Sequence, residues 1–189
     1  AGEKGIKLLI DESFVDFAEG DLEENSLLHR DLLQKYQSML VVKSISKSYG
    51  VPGLRLGIIA GGNTAFIGRM KKQAAIWNIN SFAEFFLQIF GKYEKEYEIS
   101  TRKLASEREW LAGQLAELAG VRVLPSQANY VMVELAGDKS ATALTEELLV
   151  KYDILVKDLS QKTGGNYLRI AIRNREDNEA LVQALRRVL

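Results

Sequence analysis

The sequence predicts an α/β protein built in two parts. In the first part, residues 1–119, short runs of consecutive apolar residues alternate with amphipathic stretches, as in a mostly parallel sheet covered by helices. The second part, residues 120–189, follows a shift in composition and has the order β-β-α-β-β-α, which is typical of a small α+β domain. A long amphipathic stretch before the shift predicts a helix that joins the two parts.

Local signals place the elements of both parts. Apolar runs predict strands at 6–10, 39–43, 56–60, 121–124, 130–135, 154–157 and 167–172. Helical spacing predicts helices at 27–36, 63–70, 77–93, 100–118, 141–152 and 174–189. Asn63, Asn80 and Asn174 stand where a side-chain cap starts a helix, and the aromatic residues of 77–93 indicate a buried one.

Composition restricts the classes of function. Lys+Arg and Asp+Glu balance at 25 each, so charge does not favour a nucleic-acid partner. With no cysteine and one histidine, no metal site is expected. No apolar run approaches the roughly 20 residues that span a bilayer, and no signal-peptide pattern is present, so we expect a cytoplasmic protein with no membrane partner. A strand-length apolar run begins almost at the first residue, which suggests a fragment of a longer protein.

The strongest chemical signal lies in residues 41–60, between two predicted strands. Their loop, SISKSYGVPGLRLG, places Lys47 among three serines, with Arg55 where the next strand begins. An amine, a guanidinium and small hydroxyls at the mouth of buried strands suggest an anionic ligand and amine chemistry. Asp11 follows the first predicted strand, at the strand end where ligands of α/β sheets bind.

This loop resembles the Schiff-base lysine segment of fold-type-I pyridoxal-phosphate (PLP) enzymes of aminotransferase class I/II, and most of all histidinol-phosphate aminotransferase and threonine-phosphate decarboxylase. The likeness runs from about residue 8 to residue 189, whereas those proteins carry a long N-terminal part that this sequence lacks. It implies part of a PLP-dependent transferase large domain followed by the small C-terminal domain, with pyridoxal 5'-phosphate as the cofactor.

The resemblance also implies roles for residues of the first part. Lys47 matches the lysine whose amine holds the cofactor and then acts as a general base. Asp11 matches the acid that keeps the ring nitrogen of the cofactor protonated. Ser44, Ser46 and Arg55 match the residues that hold its phosphate, although each serine can instead satisfy only local backbone.

Two substrate-binding residues are expected in the second part. Arg169 matches the arginine that binds the substrate carboxylate, and strand alternation separates it from the apolar Leu168 and Ile170. An arginine paired with an acid at a sheet edge is the alternative. Relatives often carry a phosphate-binding arginine in the preceding strand, where this chain has Lys157, which keeps the charge but lacks the planar fork.

One motif departs from the aminotransferase pattern. That pattern reads DEAY, with a tyrosine hydroxyl that helps hold the ring oxygen of the cofactor. This chain reads DESF, so the resemblance places Phe14, which has no hydroxyl, at that cofactor-binding position. The form from Asp11 to Phe17 is more similar to threonine-phosphate decarboxylase. The expected activity is amino transfer between an amino acid and a 2-oxo acid, and decarboxylation of a phosphorylated amino acid is the alternative.

The expected partners are the small-molecule substrate and a second copy of the chain. Folds of this kind build their sites at dimer interfaces, and the apolar helix at 76–92 would suit one. No stretch matches the aromatic residue that stacks on the cofactor or the glycine-rich loop that holds its phosphate in relatives. A non-catalytic fragment is therefore a third hypothesis.

Overall fold

The computed structural model describes residues 2–189, which form two compact units that divide between Thr101 and Arg102. The division falls inside one long helix, because the C-terminal part of that helix buries Leu111 and Leu115 in the core of the second unit. The domain boundary predicted after residue 119 stays a prediction. Within the described residues, no helix combines the length and the hydrophobicity that a membrane-spanning segment requires.

The first unit contains a three-stranded sheet with short helices. Its elements are β1 (Leu8–Asp11), α1 (Leu22–Asn25), α2 (Arg30–Lys35), β2 (Met39–Ser44), α3 (Ile45–Ser48), β3 (Gly57–Gly61), α4 (Thr64–Gln73), α5 (Ser81–Ile89) and the beginning of α6 (Glu94–Ala116). Single 3-10 turns lie at Gly2–Lys4, Val15–Phe17, Pro52–Leu54 and Phe90–Lys92. The strand order is β1-β2-β3, with β1 parallel and β3 antiparallel to β2. Residues 45–56 make two tight turns instead of a helix that crosses the sheet, so β3 returns beside β2 in the opposite direction.

Two helix starts of the first unit follow the sequence signals, and one burial prediction is wrong. The side chains of Asn63 and Asn80 accept hydrogen bonds of 2.9 Å from the backbone N–H groups of Phe66 and Ala83, as N-caps do. The helix predicted at 77–93 begins at Ser81, directly after its Asn80 cap, but most of its aromatic side chains are not buried as predicted. Trp77 is 89% exposed and Phe82 is 79% exposed, because no described residues of this unit cover them.

The second unit is a four-stranded antiparallel sheet with helices on one face. It contains the end of α6 together with β4 (Val121–Leu124), β5 (Tyr130–Leu135), α7 (Ala141–Tyr152), β6 (Lys157–Asp158), α8 (Ser160–Thr163), β7 (Tyr167–Ala171) and α9 (Arg175–Val188). The strand order is β4-β5-β7-β6. Leu168 and Ile170 are buried in the core with residues of α6, α7 and α9, while Arg169 lies on the opposite, exposed face. The predicted alternation along β7 is therefore confirmed.

A buried carboxylate ties the helices of the second unit to the end of β7. Glu107 on α6 accepts hydrogen bonds from Arg175 Nε at 3.1 Å and from Asn178 Nδ2 at 3.2 Å. The bond from Arg175, more than that from Asn178, holds the pKa of Glu107 below its ordinary value, so the carboxylate stays ionised. Asn178 also bonds both backbone groups of Arg173, which holds the chain where it leaves β7.

Candidate active site

The parallel strands β1 and β2 end at the same edge of the sheet and place the candidate catalytic residues there. Asp11, the last residue of β1, is the register partner of Val42, two residues before the end of β2. Lys47 follows in α3, a single helical turn where the sequence predicted a loop. The charge of Lys47 acts on Asp11, so the structure brings these two predicted residues together.

Ser13 orients the carboxylate of Asp11. Asp11 Oδ1 accepts hydrogen bonds from the Ser13 backbone N–H, at 2.9 Å, and from the Ser13 hydroxyl. The Ser13 hydroxyl bond is the largest of several influences, among them the positive charge of Lys47, that hold the pKa of Asp11 below its ordinary value. Ser13 Oγ in turn accepts from the backbone N–H of Ser44 at 3.0 Å, which links the acidic loop to β2. Sequence reasoning missed Ser13, although a serine two residues after an aspartate is a recognisable local pattern.

Phe14 forms a contact of its own with the catalytic candidate. The Nζ atom of Lys47 lies 4.0 Å from the centre of the Phe14 ring, a cation–π geometry. The phenylalanine that departs from the aminotransferase pattern is therefore a direct neighbour of the Lys47 amine. Its role in cofactor binding stays a prediction.

The three residues proposed to hold a phosphate differ in their surroundings. The hydroxyl of Ser46 is buried and donates to the backbone carbonyl of Leu56 at 3.3 Å, which is the local role left open by the sequence. Ser44 is half-buried, and its side chain does not cap α3. Arg55 is exposed and donates from Nη1 to the carbonyl of Pro52 at 3.3 Å. A phosphate-binding role for these residues stays a prediction.

Arg55 also adopts a left-handed backbone conformation, with φ of 56°. This conformation costs a residue with a Cβ atom roughly 1–2 kcal/mol. We expect Arg55→Gly to be more stable than Arg55→Ala by about 1 kcal/mol in urea unfolding, because glycine adopts this backbone without strain. Both variants lose the guanidinium, so both should bind PLP at least about tenfold more weakly. An Arg55→Ala variant at least as stable as Arg55→Gly would contradict the strain, and unchanged PLP affinity would contradict the ligand role.

In the second unit, the two predicted substrate residues are direct neighbours. Lys157 on β6 and Arg169 on β7 are register partners across an antiparallel pair, and both are exposed on the same face. The Arg169 guanidinium lies 5.3 Å from the centre of the Tyr130 ring. Among residues 2–189, neither cation takes part in an ion pair with an acid. Like charges directly opposite each other destabilise a sheet, so the pair favours a bound anion.

The chemistry of the first unit fits PLP. Lys47 offers an exposed amine, and the low pKa of Asp11 supplies an ionised carboxylate. Both hydrogen bonds that Asp11 accepts within the described residues go to Oδ1. Oδ2 can therefore accept a hydrogen bond from a protonated ring nitrogen. An amine for the aldehyde and an acid for the ring nitrogen are the groups that this cofactor requires of a protein.

Comparisons with known proteins confirm the resemblance and the fold class. A CMP-5'-(3-aminopropyl)phosphonate synthase of Streptomyces rubellomurinus is 38% identical over 97% of this chain and 29% of its own length. An L-serine phosphate decarboxylase of Sulfurospirillum multivorans is 35% identical over 97% of this chain and 47% of its own length. The solved histidinol-phosphate aminotransferase of Clostridium acetobutylicum is 26% identical, with a TM-score of 0.88 over 98% of this chain and 55% of that chain.

The chain thus spans less than half the length of these two curated relatives. The family model for aminotransferase class I and II matches residues 1–185, nearly the whole sequence. These matches indicate pyridoxal 5'-phosphate as the cofactor. The chain belongs to the aminotransferase class I and II family.

Proposed function

We propose that this chain carries active-site residues of a PLP-dependent decarboxylase of a phosphorylated amino acid, with phosphoserine as the model substrate. The sequence favoured amino transfer, but the relatives support its alternative better. Two of the most similar relatives are named as a serine phosphate decarboxylase and an aminopropylphosphonate synthase. Phe14, in place of the aminotransferase tyrosine, points in the same direction.

The observation that carries the proposal is the adjacent pair of Lys157 and Arg169. A phosphate monoester carries about −1.5 to −2 charge at neutral pH, which two neighbouring cations match. A carboxylate carries a single charge and needs only one of them. The exposed pair, which forms no ion pair with an acid in the described part of the chain, therefore suits a phosphorylated substrate better than an ordinary amino acid.

The group that leaves in a decarboxylation, carbon dioxide, indicates which substrate group Arg169 and Lys157 should bind. An arginine that binds the substrate carboxylate stabilises the substrate before the carboxylate leaves as carbon dioxide. Such binding therefore slows decarboxylation. In an aminotransferase the carboxylate stays on the substrate, so the same binding only holds the substrate in place. In the decarboxylase, both Arg169 and Lys157 should therefore bind the phosphate and leave the carboxylate free.

The residues of the first unit would then perform acid–base work. PLP, when bound, supplies an electron sink for the pair of electrons left on the substrate α-carbon. Asp11 keeps a proton at the ring nitrogen through its ionised carboxylate. The amine of Lys47 holds the cofactor and afterwards delivers a proton to the α-carbon. The Phe14 ring, in contact with the Lys47 amine, would help to position it.

The test is an assay of O-phosphoserine with PLP, run on this chain. Carbon dioxide and phosphoethanolamine in equal amounts would support the decarboxylase. Transfer of the amino group to an added 2-oxo acid without carbon dioxide would support the aminotransferase. PLP-loaded protein that does neither would contradict both activities, and failure of the short chain to bind PLP would support the inactive-fragment hypothesis.

We also propose that the protein forms a homodimer. The support is the exposed apolar segment that includes Trp77, Phe82 and Phe85, since aromatic residues are enriched in the cores of protein interfaces. We expect sedimentation equilibrium to give twice the chain mass at micromolar concentration and Phe82→Glu to give the monomer. A monomeric wild-type protein, or a dimer unaffected by Phe82→Glu, would contradict this interface.

A further inference from the structure

A buried ion pair lies beneath the Lys47 turn. Lys43, on β2, binds the carboxylate oxygen Oδ1 of Asp16, which lies in the turn Val15–Phe17. The side chain of Asp16 is fully buried and that of Lys43 is 8% exposed. Buried charges are costly unless their remaining oxygen and nitrogen atoms are also satisfied. The second carboxylate oxygen of Asp16 therefore requires a partner.

Tyr97, at the beginning of α6, supplies a rigid donor close to this carboxylate. Its ring stacks flat on that of Tyr49, with centroids 4.4 Å apart and an interplanar angle of 9°. Phe90 packs edge-on against both rings. Burial raises the pKa of Tyr97 far above its ordinary value, and the negative charge of Asp16 adds to the effect. The hydroxyl is therefore protonated at neutral pH and able to donate.

Three buried polar atoms in this region could satisfy one another by hydrogen bonding. Asp16 Oδ2, Ser48 Oγ and Tyr97 Oη are buried and make no hydrogen bond of standard geometry in the described residues. The ring stack places Tyr97 beside Tyr49, the residue that directly follows Ser48. The negative charge of Asp16 acts on the Tyr97 hydroxyl. A single chain, in which Ser48 donates to Tyr97 and Tyr97 donates to Asp16, would satisfy all three atoms. Each would otherwise cost about 1–3 kcal/mol.

We propose that Tyr97 is a positioning residue that holds the Lys47 amine over the Phe14 ring. Ser48 directly follows Lys47, and Asp16 lies two residues after Phe14. The Ser48–Tyr97–Asp16 chain therefore connects the segment that carries Lys47 to the segment that carries Phe14. Lys43 anchors the Asp16 end to β2. The inference rests on the proposed function only in that Lys47 is taken as the residue that holds PLP.

The test is an NMR measurement on the chain without cofactor. A ring face 4.0 Å from Lys47 Nζ should move the ε-methylene signals of Lys47 upfield. These signals are assigned by their loss in Lys47→Arg. In Tyr97→Phe, which keeps the stacked ring and removes the hydroxyl, we expect most of this upfield shift to be lost. Ser48→Ala should reduce the shift in the same direction, by a smaller amount.

Tyr93→Phe is the matched control, because Tyr93 lies one helical turn before Tyr97 and is half exposed. It should leave the Lys47 signals unchanged. The proposal is overturned if the wild-type signals show no upfield shift, or if the folded Tyr97→Phe protein keeps it. Should Tyr97→Phe not fold, Ser48→Ala decides, and an unchanged shift there overturns the proposal. The phosphoserine assay can fail independently, since this measurement requires neither PLP nor activity.

Discussion

Replacement of Lys47 with alanine should abolish both covalent capture of PLP and catalysis. With the wild-type protein, borohydride reduction after addition of PLP should leave a stable label on the peptide that contains Lys47. The variant should show no label there, and the rate of the proposed decarboxylation should fall by roughly 10³-fold or more, because the proposal gives one amine both the binding of the cofactor and the proton transfer. Absorbance of bound PLP and peptide mapping give the two measurements.

Lys71→Ala is the control for this experiment, since Lys71 is an exposed lysine of α4 outside the candidate site. Its label on Lys47 and its activity should equal those of the wild type. A label that persists at another lysine in Lys47→Ala, with activity retained, would show that Lys47 has been assigned wrongly.

Substitutions of Lys157 and Arg169 should weaken binding of phosphoethanolamine, the product of the proposed decarboxylation. This molecule has a phosphate and no carboxylate, so its affinity reports only on phosphate recognition. A hydrogen bond to a charged group is worth about 1.5–3 kcal/mol, so we expect Lys157→Gln and Arg169→Gln each to weaken binding by roughly 10–100-fold. Lys157→Arg should retain binding or improve it, because a guanidinium adds a planar fork. Titration calorimetry measures these constants.

The same titrations separate the two activities. If Arg169 binds the substrate carboxylate, as in the aminotransferase hypothesis, phosphoethanolamine should bind equally well to Arg169→Gln and to the wild type. Lys162→Gln is the control, because Lys162 is an exposed lysine on the neighbouring helix α8. Equal weakening by Lys162→Gln would mean that overall charge, not this pair, attracts the phosphate.

Much of the local structure was predictable, since it depends on neighbours in the chain. The strands at 121–124 and 130–135 and the helix at 141–152 lie where the patterns put them. Asn63, Asn80 and Asn174 cap their helices through bonds that span three residues. Periodicity also predicted the two faces of β7, because alternation along a strand is a property of the backbone. Prediction failed at 77–93, where aromatic composition indicated burial but Trp77 is exposed.

The sequence by itself predicted which residues carry the chemistry of this protein. Lys47, Asp11, Arg169 and Lys157 were predicted from short motifs, each of which is contiguous in the chain. Tertiary structure decided which residues support them. The Phe14 ring under Lys47, the link from Ser13 to Ser44 and the Lys43–Asp16 pair join residues 27–33 positions apart. Such contacts depend on the register of β1 with β2 and on burial, which local patterns do not encode.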